Sequence, residues 1–269
     1  MSLVEEEVRQ IVVFLSVERL RTLTELTNSA SMAVSLHQET LSLGASLMNV
    51  TGTVEIALRN AICENLGRHF GVSNWLIQPP VSFQWRGNER DKVTKALDSA
   101  RRAKYSKLSQ QEKGNLDQLA YPNGRPSGIS HLRRAKDRRK QIAVTDGSVV
   151  SELTFYFWKR LFGPEYNQTL WRTTLKRMFP DRSITRAAVA IKLEKIYQSR
   201  NRLAHHEPVL HNRFDDTIAA IQFVADNLRV ANGTQDSALG KLIADDLVSV
   251  QSRADALHTK LNSYRARKD

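Results

Sequence analysis

The chain has a single cysteine and few glycines and prolines. It therefore lacks the disulfides that stabilise small secreted proteins and has few of the residues that interrupt helices. Its 269 residues include one cysteine, Cys63, which excludes an internal disulfide and a cysteine-cluster zinc site. There are only 12 glycines and 7 prolines, and apolar residues recur at helical spacing. No apolar run approaches a membrane span, and the acidic N-terminus does not resemble a signal peptide. These absences predict an all-α protein of the reducing cytoplasm that makes no membrane contact.

Two further absences exclude two classes of enzyme. The sequence has no glycine-rich phosphate loop and no Ser/His/Asp arrangement, so it matches neither a nucleotide hydrolase nor an esterase. Its hydrophobic content of 41% is well above that of disordered chains, and its length allows a sizeable core. We therefore expect a folded protein of one large domain or two smaller ones.

Positive charge is abundant and unevenly distributed. The formal net charge is +12, and the segment from Arg86 to Lys140 holds 16 Lys or Arg against 6 Asp or Glu. Such a segment favours a polyanionic partner, with RNA or DNA as the default. The alternative is a solvated basic segment that serves solubility. The predicted RNA-binding residues are its densest cluster, with six cations in eight residues: Arg133, Arg134, Lys136, Arg138, Arg139 and Lys140.

Apolar periodicity predicts where the main helices lie. One amphipathic helix is expected from Val4 to about Leu26, and one or two long helices over 30–70. A basic helix is expected over 130–142 and an aromatic core helix over 148–162.

The most specific pattern is the stretch SRNRLAHHEP over residues 199–208. Arg200 is followed directly by Asn201 and, five positions after the arginine, by His205. A guanidinium can neutralise a phosphate, and an imidazole can transfer a proton near neutral pH. These two functions are the minimum needed to cleave RNA without a metal. These three residues are the predicted catalytic set.

The helix that carries this pattern has a candidate N-cap at Ser183 and no internal Gly or Pro. Its apolar stripe has a gap at Arg200, which predicts a charged side chain along the buried face, where it needs a specific partner. Pro208 disfavours helical geometry at the residue before it and places the histidines in the last turn. The stripe consists of Val189, Leu193, Ile196 and Leu203.

In a regular helix the side chains of Arg200 and His205 point in different directions. Arg200 and His205 lie about 140° apart around a helix of 3.6 residues per turn. They converge on one ligand only through the length of arginine or through a distorted last turn. The helix dipole at that end favours imidazolium, which suits a proton donor.

Residues 200–205 resemble the R-x4-6-H motif of the HEPN-type ribonucleases, including the polar residue after the arginine. The longer string RNRLAHHEPV over 200–209 is similar to the signature of the Abi-like (abortive infection) branch of that superfamily. Two more blocks are similar to the same branch: EIALRN over 55–60 and SELTFYFW over 151–158. The resemblance spans roughly residues 10 to 225, and the order of the blocks makes the combination more specific than the short motif alone.

The resemblance implies an all-α, multi-helix HEPN-like helical bundle with additional N-terminal and basic helical elements. It implies a single domain over 1–235, followed by a C-terminal helix and basic tail over 236–269. Within the domain, 86–142 would be an RNA-facing basic insertion and 183–207 the motif helix.

It also implies a metal-independent endoribonuclease that acts in phage defence or as a toxin, without a cofactor. Arg200 would hold the scissile phosphate, Asn201 would orient it, and His205 would transfer a proton, leaving a 2′,3′-cyclic phosphate. A homodimer with a composite site would let Arg200 of one chain and His205 of the other face one phosphate. The residues expected to support this site are Glu55, Arg59, Asn60, His206 and Glu207.

Other interpretations stay open beside this one. His205 could cap a helix end, and Arg200 could form a structural ion pair with Glu55 or Glu152. The protein could be a non-catalytic RNA-binding module, bound to a regulatory noncoding RNA, or a scaffold for assembly. A metal site is not predicted, because adjacent histidines on a helix point apart.

Overall fold

A computed structural model describes residues 4–72, 74–229 and 237–266 of the chain. All regular structure within these ranges is helical, which confirms the predicted all-α class. Between α8 and α9 the described chain forms short 3₁₀ and π turns over 164–178. The α-helices in chain order are α1 (Glu5–Leu15), α2 (Val17–Thr27), α3 (Ala30–Phe70), α4 (Gly87–Ser106), α5 (Gln110–Ala120), α6 (His131–Lys140), α7 (Asp146–Val150), α8 (Phe155–Arg160), α9 (Arg186–Ala204), α10 (Asn212–Asn227) and α11 (Ala238–Arg265).

Packing divides the chain into two compact units. The first unit comprises Met1–Leu58 and Phe179–Asp269, and the second comprises Arg59–Met178. The boundary falls within α3, so one helix contributes to both units. The predicted catalytic residues belong to the first unit, and the basic cluster belongs to the second. The predicted domain boundary at residue 235 lies outside the described residues.

The N-terminal segment forms two helices, so the predicted single helix from Val4 to about Leu26 is wrong. Ser16 separates them with a φ of 72°, a conformation that no α-helix contains. Its hydroxyl accepts a hydrogen bond from the Arg19 N–H (3.3 Å) and caps α2. A local bond from side chain to backbone thus replaces the helical bond that the apolar pattern predicts.

Helix α3 is one continuous helix of 41 residues, where the sequence predicts one or two. By length and composition it is apolar enough to cross a membrane, with a mean hydropathy of 1.3 over an 18-residue stretch. The core helix of a soluble protein meets the same criteria, so this is weak evidence for a membrane. The expectation that no apolar run approaches a membrane span is nevertheless corrected for this helix.

The core of the first unit depends on the packing of α9 against α10 and of α10 against α11. All four apolar residues of the predicted α9 stripe are buried. The gap in the stripe is filled by Ser199, which is 2% exposed and whose hydroxyl lies 2.6 Å from that of Thr217 on α10. Ser199 is three residues after Ile196 and four before Leu203, which is the spacing of one helix face. The prediction that Arg200 occupies this face is therefore wrong by one position.

The second unit has an aromatic core. The Phe83 and Trp85 rings meet edge to face with centroids 4.9 Å apart, and Phe157 lies 5.5 Å from Trp85. The aromatic segment 148–162 is buried as expected but is not one helix. It forms α7 and α8, because the chain turns after Val150 and is extended at Thr154.

A buried carboxylate connects two helices of this unit. Glu89 of α4 has no exposed surface, and its oxygens accept hydrogen bonds from Arg160 Nε (3.1 Å) and the Tyr166 hydroxyl (2.9 Å). The Tyr166 hydroxyl also accepts a bond from the Arg86 N–H (3.1 Å), and burial raises its pKa. Through this paired and hydrogen-bonded charge, Glu89 connects α4 to Arg160 of α8 and to Tyr166.

Candidate active site

Helix α9 carries the predicted motif and begins at Arg186. The Thr185 hydroxyl accepts a hydrogen bond from the Ala188 N–H (3.1 Å) and so provides the N-cap. Ser183, the predicted cap, instead donates its N–H and hydroxyl to the Asp181 carboxylate, each at 2.8 Å. The predicted cap is wrong by two positions, because Ser183 closes the preceding turn.

The C-terminus of α9 ends in a Schellman motif. The His206 N–H donates to the Leu203 carbonyl (3.0 Å), and the Glu207 N–H donates to the Arg202 carbonyl (2.8 Å). These bonds satisfy carbonyls that a helix end otherwise leaves open. The helix therefore ends at Ala204, three residues before the predicted end at 207.

The two histidines occupy different positions in this turn. His205 is the C-cap, with φ −95° and ψ 12°, and its side chain is exposed. His206 follows in the left-handed region with φ 56°, a position that glycine or asparagine usually takes. The prediction that both lie within the last helical turn is therefore corrected: both follow α9. Because His205 has left regular helical geometry, the angle of about 140° no longer fixes its direction.

Arg200 lies on the flank of α9, with 37% of its side chain exposed. Its Nε atom is 3.7 Å from Oε2 of Glu55 on α3, within the same unit. The ion pair with Glu55, one of the open structural interpretations, is therefore present. A partly solvated pair at this distance is weak, so the guanidinium keeps the capacity to bind a phosphate.

Asn201 stands between the arginine and the histidine. Its side chain is half-buried, and its carbonyl accepts a hydrogen bond from the His205 N–H (3.2 Å). This hydrogen bond holds the backbone between Asn201 and His205, while the His205 side chain is exposed to solvent.

Two arginines bond to the loop that follows α9. Glu207 is exposed and accepts an ion pair from Arg202 Nη1 at 3.0 Å. The His206 carbonyl accepts a hydrogen bond from Arg19 Nη1 of α2 at 3.2 Å. His206 and Glu207 therefore take part in contacts that hold the loop after His205, and their predicted supporting role at the site stays a prediction.

Two of the six predicted RNA-binding residues are held by a carboxylate. Arg134 and Arg138 of α6 both donate to Asp117 of α5, with Arg134 Nε at 3.0 Å and Arg138 Nε at 2.6 Å from Oδ1. The hydrogen bonds from Arg134 and Arg138 lower the pKa of Asp117, and those to Asp117 raise the pKa of both arginines. Arg138 is only 8% exposed. These two cations therefore connect α5 with α6 and offer little to RNA.

The other four residues of the cluster differ in exposure. Lys136, Arg133 and Lys140 are exposed, and the last two bond Asp137 of the same helix at 3.0 and 3.2 Å. Arg139 is half-buried, and its Nε atom has no hydrogen-bond partner among the described residues. The exposed positive surface of α6 is thus smaller than the count of six cations suggests.

Arg59 and Asn60 lie in the second unit, on the C-terminal part of α3. Arg59 is half-buried, and its Nε lies 3.4 Å from Oδ1 of Asn60. Burial raises the pKa of the nearby Cys63 thiol to about 12, so this cysteine is not a reactive thiolate at neutral pH.

Sequence reasoning missed a pocket of about 620 Å³ in the first unit, beside the end of α9. His37, His211 and Arg265 line it together with residues of α2 and of the loop after α9. These residues are far apart in the chain, and no motif or short spacing connects them. Only the folding of α2, α3 and α11 around this loop creates the pocket.

In the parts of the chain that the structure describes, no group of three His, Cys, Asp or Glu side chains is placed to hold a metal ion. Compared with family models, curated proteins and solved structures, the chain shows no match. The resemblance to the HEPN ribonucleases therefore stays an expectation that rests on the motif blocks of the sequence.

Proposed function

We propose that the protein is a metal-independent endoribonuclease of the HEPN type, acting on RNA in phage defence or as a toxin. The observation that supports this most is the end of α9. There a partly exposed arginine, a polar Asn201 and an exposed histidine follow one another within six residues. A weak ion pair with Glu55 keeps Arg200 extended without neutralising it fully.

The reaction needs a cation at the phosphate and two proton transfers. Arg200 binds the scissile phosphate and stabilises the charge that develops on it. A base removes the proton of the 2′-hydroxyl as its oxygen attacks phosphorus, and an acid protonates the leaving 5′-oxygen. The products are a 2′,3′-cyclic phosphate and a 5′-hydroxyl.

The separation of Arg200 and His205 along one chain supports a homodimer. Arg200 of one chain and His205 of the other would face one phosphate, and that His205 would carry out one of the two proton transfers. A two-fold axis near the ends of the two α9 helices would bring both motifs to one phosphate. The RNA strand is then the substrate and the second copy is part of the active site.

The test compares Arg200→Ala and His205→Ala with Arg202→Ala, a control that removes an arginine two positions away on the same helix. End-labelled RNA is incubated in EDTA and the product termini are identified. Wild type should cleave and leave cyclic phosphates, and the first two variants should lose about 100-fold or more. Arg202→Ala should lose less than about threefold, because its ion pair with Glu207 and its 3.4 Å hydrogen bond to the Pro208 carbonyl are both exposed and weak.

Two results would contradict the proposal. One is loss of all cleavage in EDTA, and the other is equal loss in Arg202→Ala and Arg200→Ala. Circular dichroism spectra of all variants confirm that each remains helical, so a loss of cleavage reports on the site.

A second candidate, the non-catalytic RNA-binding module, is favoured by the exposed cations of α6. In that case RNA binding would survive His205→Ala and would weaken as salt rises. Lys136→Gln should weaken RNA binding in this module, whereas Arg138→Gln should act through the stability of α5 and α6.

A further inference from the structure

A pair of histidines joins the loop after α9 to the C-terminal helix. His211 is the N-cap residue of α10, and His258 lies on α11. Their rings are stacked, with centroids 4.8 Å apart and planes 16° apart, and both histidines are half-buried. Phe214 of α10 meets the His258 ring edge to face, with centroids 6.1 Å apart. The pair therefore brings together two segments that lie far apart in the sequence, within the first unit.

Both histidines use a ring nitrogen as a hydrogen-bond acceptor. The His211 backbone N–H donates to His258 Nε2 at 3.2 Å. A ring nitrogen accepts only when it carries no proton, so the His258 ring is neutral, with its proton on Nδ1. Arg265 Nη2 lies 3.4 Å from His211 Nε2, and a guanidinium only donates, so this nitrogen accepts too. The contact therefore requires both imidazoles to be neutral.

The backbone of His211 is strained. It has a φ of 52° and a ψ of −138°, which is unfavourable for a residue with a Cβ. Such a conformation persists only where surrounding contacts hold it. The hydrogen bond to His258 Nε2 and the stack of the two rings are contacts of this kind. When they are lost, the backbone at His211 is free to relax to a less strained conformation.

The surroundings of His211 disfavour a proton on its ring. Burial lowers the pKa of His211, and His258 and Arg265 lower it further, against an opposing effect of Asp215. Helix α10 begins at the next residue, and the partial positive charge of a helix N-terminus acts in the same direction as Arg265.

Other charged or titratable side chains line the two pockets that His211 borders. They come from α2, α3, α9, the loop after α9 and the start of α10: Glu18, Arg19, His37, Arg202, His206, Glu207 and Arg213. The two carboxylates in this set each form an ion pair with an arginine, Glu18 with Arg21 and Glu207 with Arg202. Their charge is thus already compensated, and they offer little stabilisation to an imidazolium at His211.

We propose that His211, His258 and Arg265 form a pH-sensitive latch, which holds the end of α11 on the loop after α9 near neutral pH and releases it when an imidazole is protonated. A proton on His211 Nε2 would face the guanidinium of Arg265, and a proton on His258 Nε2 would face the N–H of His211. Either proton sets two donors against each other and places like charges side by side. The released loop is the one that directly follows His205.

The direction of the pH dependence follows from the neutral state of the closed latch. The closed form binds fewer protons than the open form, in which the pKa of His211 returns towards the ordinary histidine value of about 6.5. The latch is therefore complete above that value and weakens as pH falls through it.

Hydrogen–deuterium exchange of the full chain tests this proposal. Protection of the amide hydrogens over 205–215 is measured at about pH 7.5 and 5.5 and corrected for the intrinsic pH dependence of exchange. In wild type, protection should fall by about threefold to tenfold at the lower pH, because one proton changes the opening equilibrium by at most tenfold per pH unit.

Two variants separate the proton from the contact. The double variant His211→Gln/His258→Gln keeps an acceptor at each position but cannot be protonated, so its protection should differ by less than about twofold between the two pH values. His258→Phe keeps a ring for the stack but has no acceptor, so it should be poorly protected even at neutral pH. The matched control is His131→Gln, which removes an exposed histidine of the second unit and should behave as wild type.

A second measurement needs only wild type and one further variant. Titration of the histidine rings by nuclear magnetic resonance should place the pKa of His211 below its ordinary value, and Arg265→Gln should raise it by removing a nearby cation. The proposal is overturned if His211 titrates at or above the ordinary value. It is also overturned if the double variant loses protection at low pH as wild type does.

This inference rests on the contacts between α10 and α11 and does not depend on the proposed function. Exchange is measured without RNA, and Arg200→Ala should show the same pH dependence as wild type. Absence of cleavage with a pH-dependent loop would refute the ribonuclease alone. Cleavage with a loop whose protection ignores pH would refute the latch alone.

Discussion

At the scale of single residues, His206 is the most unusual position in the candidate site. It takes the left-handed position of the Schellman motif with φ 56°, where a Cβ is strained. A histidine occupies this position although glycine would adopt the same φ without strain. Its carbonyl holds Arg19 and its side chain lines the pocket, so we infer that the strain serves the site.

Replacing this residue by glycine should make the protein more stable. His206→Gly relieves the strain of a Cβ at positive φ, and we expect the free energy of unfolding to rise by about 1 kcal/mol. Urea denaturation of purified variants measures the change. His205→Gly is the control, because φ is −95° there and glycine should destabilise. A fall in stability for His206→Gly would show that contacts of the imidazole outweigh the backbone strain.

At the scale of elements, one carboxylate connects two helices of the basic region. Asp117 of α5 accepts hydrogen bonds from Arg134 and Arg138 of α6, and 19% of its side chain is exposed. The basic cluster is therefore an organised helix pair, and its charge is partly neutralised internally. The sequence pattern alone could not distinguish this from a solvated cationic segment.

Asp117→Asn should destabilise this pair by about 2 kcal/mol at neutral pH, since two partly buried guanidinium groups lose their counter-charge. The arginines lower the folded-state pKa of Asp117, so its contribution is complete above the unfolded pKa and is lost as pH falls through the folded one. The stability difference between wild type and variant should therefore shrink below about pH 4.

Chemical denaturation across pH measures this difference. Asp98→Asn is the matched control, because Asp98 pairs with Arg102 on an exposed helix surface. It should change stability by less than about 0.5 kcal/mol at any pH. A difference for Asp117→Asn that stayed constant down to acid pH would mean that its carboxylate has an ordinary pKa.

At the scale of the whole molecule, the composite site can be tested by mixing two inactive proteins. Arg200→Ala and His205→Ala should each be inactive, and the mixture should regain cleavage after denaturation and joint refolding. If Arg200 of one chain works with His205 of the other, a mixed dimer keeps one intact combination. Random pairing then gives about a quarter of wild-type activity.

The control for this experiment is a mixture of His205→Ala with the double variant Arg200→Ala/His205→Ala. Neither protein in this mixture has His205. It should remain inactive under the same treatment. If the first mixture is inactive too, while wild type refolds to full activity, Arg200 and His205 act within one chain.

Local properties of the sequence determined the class of fold and the helices α3, α6 and α9. Apolar spacing predicted the buried residues of α9, because this spacing depends on neighbours within a few positions. The same reasoning failed where side chains compete with the helix. Ser16 breaks the N-terminal helix and Thr185 displaces the predicted cap, since their hydroxyls bond backbone groups locally.

Tertiary structure alone decided which polar residues face the core, the solvent or each other. Ser199 takes the buried position next to Arg200 because Thr217 of another helix offers a hydroxyl there. Arg138 is buried because Asp117 compensates its charge. The pocket beside the end of α9 joins residues as distant as Arg19 and Arg265, and no sequence period connects them. Burial and charge pairing depend on partners brought together by folding, and those partners are not encoded in local spacing.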